Sequence, residues 1–287
     1  MELIYILLSA VAFTTFEPVA KLLGGTISPL PLTMLRFAIG GLVLLLPAIY
    51  QIRKNKIKIG ARDFGIFTML GVLCICFSMT LLQIGLLYTT ASSTAIIFSS
   101  NPVFTILFAH LLLNEKMNRK KGVALLISMA GVFCTLDFSN GLSGIAGLIL
   151  AFISAISFSL YTVLTKKLLS RFPAVVNNTF VFLTGSFVLM IILFFTKDRA
   201  IHIVNDNILP LLYLGVIVTG LGYLFYFNAM KKGGAKAAAT VFLIKPVLVP
   251  IFAFIIVGEN VRPMTIVGIL LVITGSFLLS RINVTRH

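Results

Sequence analysis

The sequence predicts an all-α membrane protein of ten transmembrane helices, arranged as two inverted five-helix repeats. Three observations predict this. First, 59% of the 287 residues are hydrophobic and 11% are charged, with a mean hydropathy of +1.09. A soluble domain of this size cannot cover that much apolar surface with so few charges. Second, apolar runs of ~20 residues, the length a helix needs to cross a bilayer, recur along the chain. They are continuously apolar, which excludes the alternating strands of a transmembrane barrel. Third, the chain repeats itself. Residues 91–116 and 235–260 share eight identities at an ungapped offset of 144: Ala91/Ala235, Ala95/Ala239, Phe98/Phe242, Pro102/Pro246, Val103/Val247, Phe108/Phe252, Ala109/Ala253 and Glu115/Glu259.

In order, hydropathy places spans at 2–23, 31–50, 64–88, 91–113, 122–136, 144–166, 174–195, 208–229, 237–257 and 264–280. The first run has no basic leader and continues to Leu23, which suits a retained span rather than a cleaved signal. Gly24-Gly25 with Pro29 and Pro31 ends it and starts the second. The stretch 137–143 separates the fifth from the sixth, and Pro173 the sixth from the seventh. Gly233-Gly234 divides the eighth from the ninth, and Pro263 the ninth from the tenth. Cys74, Cys76 and Cys134 fall inside spans and read as small hydrophobes rather than disulfide or metal partners. Asn177-Asn178-Thr179 fits a glycosylation sequon but opens a span, so no glycan is expected there.

The net charge of +15 raises the question of nucleic acid, and its distribution answers it. With the N-terminus inside, the inner segments hold 17 basic residues, among them Arg53, Lys54, Arg119, Lys166 and Lys231. The outer loops hold three: Lys197, Arg199 and Arg262. That bias places both termini in the cytoplasm of a plasma (inner) membrane protein and makes the basic residues topogenic, with the lipid bilayer and not nucleic acid as partner. Five spans per half make the second half enter the membrane upside down. The repeats are then 1–140 and 141–287. Leu70-Gly71-Val72 pairs with Leu214-Gly215-Val216, Gly131 with Gly275, and Lys21 with Lys166 after a one-residue slip. Inverted repeats of this kind build many secondary transporters.

A proline-bearing fourth helix, a Glu at its end (LLLNEK, IIVGEN) and a glycine-bearing last helix occur in each half. With the stretch GLLYTTASSTAIIFSSNPVF, this resembles the EamA branch of the drug/metabolite transporter superfamily. The resemblance implies metabolite transport. It also implies a central cavity lined by spans 1, 3, 4, 6, 8 and 9, with spans 5 and 10 peripheral.

Within the spans, Lys245 stands out. It lies about 12 Å from the inner end of span 9 at ~1.5 Å per residue, where a lipid-facing ammonium costs at least ~2.5–3.5 kcal/mol. It therefore faces the bundle interior. Pro246 follows it and frees the carbonyl of Phe242, so it marks a bend. The repeat mate of Lys245 is Asn101, followed by Pro102, and the two prolines are candidate hinges. Asn101 is a candidate for lining the cavity and binding substrate, with hydrogen bonding to neighbouring helices as the alternative. Glu17, before Pro18, is a candidate for substrate binding and for proton coupling, because burial penalises its charged form. A local pair with Lys21 is the alternative. Counting residues sets Glu17 ~9 Å and Lys245 ~18 Å from the outer ends of their spans. Arg36 reads as snorkelling from the start of span 2, and His110 as an interfacial residue. Phe13, Phe16, Phe158, Tyr161, Tyr223 and Tyr226 sit on the expected cavity helices, spaced by three on each, and form candidate aromatic walls. Ala151, Ala155 and Ser159 read as a close helix contact.

No phosphate-binding GxxxxGK[ST] loop, metal-ligand spacing or catalytic triad occurs, so neither an enzyme nor a cofactor is expected. The expected activity is secondary transport of a small-molecule substrate, an amino acid or similar zwitterion. Lys245 would engage its carboxylate, and Glu17 its ammonium or a proton. The alternatives are an uncoupled facilitator or channel, and a lipid-headgroup flippase or accessory subunit. The oligomeric state is open, a homodimer included.

Overall fold

A computed structural model describes residues 2–114, 119–134, 141–196, 205–260 and 262–281. All the regular structure in them is helical. Eight stretches are long and apolar enough to cross a membrane, from Leu3–Leu23 to Thr240–Val257, and two shorter apolar helices, Gly122–Gly131 and Pro263–Gly275, stand where spans 5 and 10 are expected. Glu115, Lys116, Lys197, Arg199, Arg286 and the start of the expected 137–143 turn lie outside the described residues. The rest of that turn is helix, since span 6 begins at Gly141.

Several spans are interrupted, each for a local reason. Span 1 is two helices, Glu2–Thr14 and Phe16–Leu23. Pro18 cannot donate to Thr14, so the ladder breaks one turn before it. Span 4 is Ala91–Phe98 and Asn101–Leu113, with Pro102 in the first turn of the second piece, a position where its missing N–H is harmless. Pro246 differs from its mate, because helical backbone runs through it from Gly222 to Val257. That long stretch still contains the expected turn. Tyr226 and Phe242 would be ~24 Å apart on a straight helix, yet their rings lie 5.9 Å apart. The chain folds back between them, making spans 8 and 9 neighbours.

Spans 3 and 8 each contain a π-helical segment, Val72–Met79 and Tyr213–Leu221. At each, a threonine hydroxyl donates to a segment carbonyl five residues back: Thr80, just past the first segment, to Ile75, and Thr219, within the second, to Leu214. Wide turns of this kind are rare and concentrate at functional sites. They occupy matching places in the two repeats, and nothing in the hydropathy pattern announces them.

The repeats are interleaved, and their mates meet head to tail. Span 2 packs on span 7 with Gly41 against Leu183 and Leu44 against Thr179. Span 5 packs on span 10 with Gly131 against Val272 and Gly275 against Ala124. In both pairs rising numbers meet falling ones, so each helix runs antiparallel to its own mate, as inversion requires. Spans 3 and 7 cross where Gly71 faces Gly185, and a Cβ on either would sit 2.7 Å from the other's backbone. The sequon Asn177-Asn178-Thr179 is buried in span 7. All three cysteines are free thiols.

Candidate functional site

Glu17 opens the second piece of span 1 and is fully buried, and Lys245 is 4% exposed. Lys245 Nζ donates to Glu17 Oε1 at 2.6 Å, and its ammonium stands 5.3 Å from the centre of the Phe98 ring. The residue count set these groups at different depths, and the structure corrects it. The long lysine side chain brings its ammonium onto the carboxylate. The alternative partner for Glu17, Lys21, is engaged elsewhere: its Nζ donates to Glu259 Oε1 at 2.7 Å and to the Thr89 carbonyl at 2.8 Å.

Glu259 explains the glutamate that ends the repeat motif. Gly258 adopts a left-handed φ of 67° and stops span 9, and its mate Asn114 does the same at φ 55° for span 4. Glycine and asparagine tolerate this conformation best. The turn swings the Glu259 carboxylate onto the start of span 4, where it accepts from the backbone N–H groups of Ala91 and Ser92. A carboxylate at a helix N-terminus complements both the unpaired donors and the dipole.

Beside the Glu17–Lys245 pair lies a cavity of about 50 Å³. Span 1 lines it with Phe13 and Phe16, and span 2 with Arg36 and Phe37. Met79 and Leu82 come from span 3, Phe98 from span 4, Phe158 from span 6. Val218, Thr219 and Tyr223 come from span 8, Phe242 and Lys245 from span 9. Both π-helical segments thus reach it. Of the candidate residues, Phe13, Phe16, Phe158, Tyr223 and Lys245 are on its wall. Glu17 touches it through Lys245. Tyr226 stands behind the wall, 5.9 Å from the Phe13 ring. Tyr161 is turned away and donates to Asn178 Oδ1 at 2.8 Å. Asn101 is buried off the cavity, its carbonyl accepting from Ser159 and its side-chain nitrogen lacking an acceptor. His110 is exposed.

Arg36 is the residue that sequence reasoning misjudged. It does not snorkel: it is 4% exposed and points into the cavity. Its guanidinium carbon lies 4.0 Å from the Phe16 ring centre and 4.4 Å from that of Phe37. Nε and Nη2 have no hydrogen-bond acceptor. A ring face returns ~2 kcal/mol to a desolvated cation, but desolvating the ion costs several kcal/mol and rings offer no lone pair to the unmet donors. Two signals foretold the placement. Pro29 and Pro31 start the helix earlier than expected, which sets Arg36 two turns in. Thr33, Arg36, Phe37, Gly40 and Leu44 also recur at helical spacing as one buried stripe. The contribution of span 2 to the cavity adds to the set of lining helices that the family resemblance implied.

A larger recess of about 360 Å³ lies among Gly24–Leu30 and Ile84–Tyr88. Its lining has no charged side chain and shares no residue with the smaller cavity.

Residues 1–136 and again 145–281 match the EamA-like transporter family. The chain belongs to that family. It is a multi-pass membrane transporter of small-molecule substrates. An "uncharacterized transporter" of Clostridium kluyveri is 36% identical over 284 residues, spanning 96% of this chain and 91% of that one. The "uncharacterized transporter YvbV" of Bacillus subtilis is 30% identical over 255 residues, spanning 88% and 82%. A solved crystal structure superposes with a TM-score of 0.68 at 16% identity over 96% of this chain and 95% of that one, a likeness of fold alone.

Proposed function

We propose that this EamA-family chain is a proton-coupled secondary active transporter that exports amino acids or similar amphipathic metabolites by alternating access. The single observation that carries this reading is the buried Glu17–Lys245 pair beside an aromatic cavity where both repeats contribute walls. Ionisable groups inside a membrane are costly and mark substrate or proton pathways. Aromatic walls suit an apolar body, and the charges suit a solute with ionic groups.

In this reading ten spans form two inverted five-helix units, 1–140 and 141–287, with both termini cytoplasmic by the loop-charge rule. Inverted halves supply the two conformations of alternating access by exchanging roles. Besides Glu17–Lys245, two ion pairs among the described residues join the halves, one at each end of the bundle. Lys21–Glu259 sits by Thr89 at the end of span 3, and Asp63–Arg171 sits at the start of that same span. In this reading each pair holds its end of the bundle shut. Opening one end means breaking its pair.

The test is transport by purified protein in liposomes. A radiolabelled amino acid mixture is offered with and without an imposed pH gradient, to wild type, Glu17→Gln and Lys245→Ala. Accumulation that follows the gradient in wild type and fails in both variants supports the reading. Unchanged transport in both variants sinks the residue assignment. Saturable flux indifferent to the gradient marks an uncoupled facilitator instead.

A further inference from the structure

We infer that Arg36 takes the anionic group of the solute, and that the solute is a monocarboxylate with an apolar or aromatic body. This rests on the transport reading above and moves the anion from Lys245 to Arg36.

The argument begins with charge. Lys245 is occupied by Glu17 at 2.6 Å, and that pair is internally neutral. By sequence position, Glu17 is the one acidic residue of the chain more than a turn inside a span. Arg36 therefore remains as an uncompensated cation in the membrane interior. Its Nε and Nη2 have no acceptor in the protein, and it faces the cavity. The groups turned on it from the surrounding spans are Glu17, Lys245, Tyr223 and Cys74, and none supplies a second negative charge while Glu17 serves Lys245. Proteins seldom leave such a donor set unmatched, and each exception calls for an explanation, a bound anion among them. A guanidinium presents a planar fork that matches a carboxylate with two parallel N–H···O bonds. One spare positive charge suits a monoanion better than a dianion.

Size fits the same assignment. About 50 Å³ admits a few waters at ~10–15 Å³ of such space each, which is room for a carboxylate but not for the body of a metabolite. The body enters when the spans part. The surfaces it then meets are Phe13, Phe16, Phe98 and Phe158, rings that offer apolar contact and no hydrogen bond.

The test is thermal unfolding of the detergent-purified full chain with four probes at equal concentration: 3-phenylpropionate, L-phenylalanine, phenethylamine and inorganic phosphate. A ligand that binds only the folded state raises the melting temperature. The expected result is a dose-dependent rise with the two carboxylates and none with the amine or phosphate. Arg36→Gln abolishes the rise, and Arg36→Lys, which keeps the charge but loses the fork, weakens the affinity at least tenfold. Unliganded Arg36→Gln melts no lower than wild type, because it sheds an unmatched buried cation. A purely structural arginine predicts the reverse, a lower unliganded melting temperature with the carboxylate response intact. The assignment is overturned if carboxylates stabilise Arg36→Gln as they do wild type. It is equally overturned if amine or phosphate matches the carboxylates, or if no carboxylate stabilises wild type. Should Arg36→Gln not fold, unchanged carboxylate affinity in Arg36→Lys overturns it. Arg36-dependent binding in a protein that moves no solute in liposomes sinks the transport reading and leaves this site standing.

Discussion

Glu17 and Lys245 meet at 2.6 Å in the protein interior, the one on the first span of the first repeat and the other on the ninth span of the chain. The contact is asymmetric with respect to the repeat. The mate of Lys245 is Asn101, which has no charge, and the mate of Glu17 is Thr162, whose hydroxyl donates to Phe158 in its own helix. The inverted halves thus share a scaffold and differ at the buried charges.

The pair couples strongly in stability. Removing one partner strips the other of its counter-charge, at a cost of about 3–5 kcal/mol, whereas removing both strands neither. Glu17→Gln and Lys245→Met are each expected to lower the melting temperature in detergent markedly, with the double variant more stable than either single one. A double-mutant cycle reads this directly. Additive losses would mean that the two groups do not act as a pair.

Proton coupling, if Glu17 provides it, separates exchange from accumulation. Glu17→Gln is expected to retain some solute counterflow across the membrane while losing the response to an imposed pH gradient. The amide is isosteric but takes up no proton in the working range. Accumulation driven by the gradient at wild-type levels in Glu17→Gln would place the coupling elsewhere.

Much of this was legible in the sequence, for physical reasons that can be named. Hydropathy finds spans because a bilayer demands long apolar helices, and the repeat placed Pro102 opposite Pro246 and Lys245 opposite Asn101. Lys245 was found because a charge that deep has nowhere to go but inward. Arg36 was misjudged because its depth depends on where the helix starts, and hydropathy begins the run at Pro31 whereas the helix begins at Pro29. The partner of Glu17 was hidden for another reason. Sequence offers Lys21 one turn away, but Lys21 is taken by Glu259, which a left-handed glycine at 258 turns toward it. The π-helical segments of spans 3 and 8 leave no trace in hydrophobic periodicity.

On the proposed alternating-access reading, the end pairs are expected to set which side opens. Lys21 and Glu259 are partly exposed, at 30% and 12%, so the pair contributes roughly 0.5–1 kcal/mol. Lys21→Gln shifts a two-state equilibrium by about two- to five-fold toward opening at that end. In a background lacking Cys74, Cys76 and Cys134, a Phe16→Cys reporter is expected to react about that much faster with a membrane-impermeant maleimide from the Lys21 side. Asp63→Asn is expected to slow it. Equal labelling in both backgrounds would show that these pairs do not gate access.

Two glycines in the first part of span 3 give opposite expectations for the same substitution. Gly65 has open space where a Cβ would go, whereas a Cβ on Gly71 would lie 2.7 Å from backbone atoms of Val181 and Gly185 across the repeat interface. Alanine favours a helix over glycine by about 1 kcal/mol, so Gly65→Ala is expected to hold or raise the melting temperature. Gly71→Ala adds the same helical preference but pushes spans 3 and 7 apart, and overpacking of this kind costs about 1–3 kcal/mol. The neighbour is backbone rather than a side chain able to rotate away, so the clash is relieved only by moving a helix. Span 3 also carries Met79 and Leu82 to the cavity, so that movement is felt at the site. Gly71→Ala is therefore expected to lose both stability and transport while Gly65→Ala keeps both, and equal behaviour of the two variants would remove the close crossing from the account of how the repeats are held together.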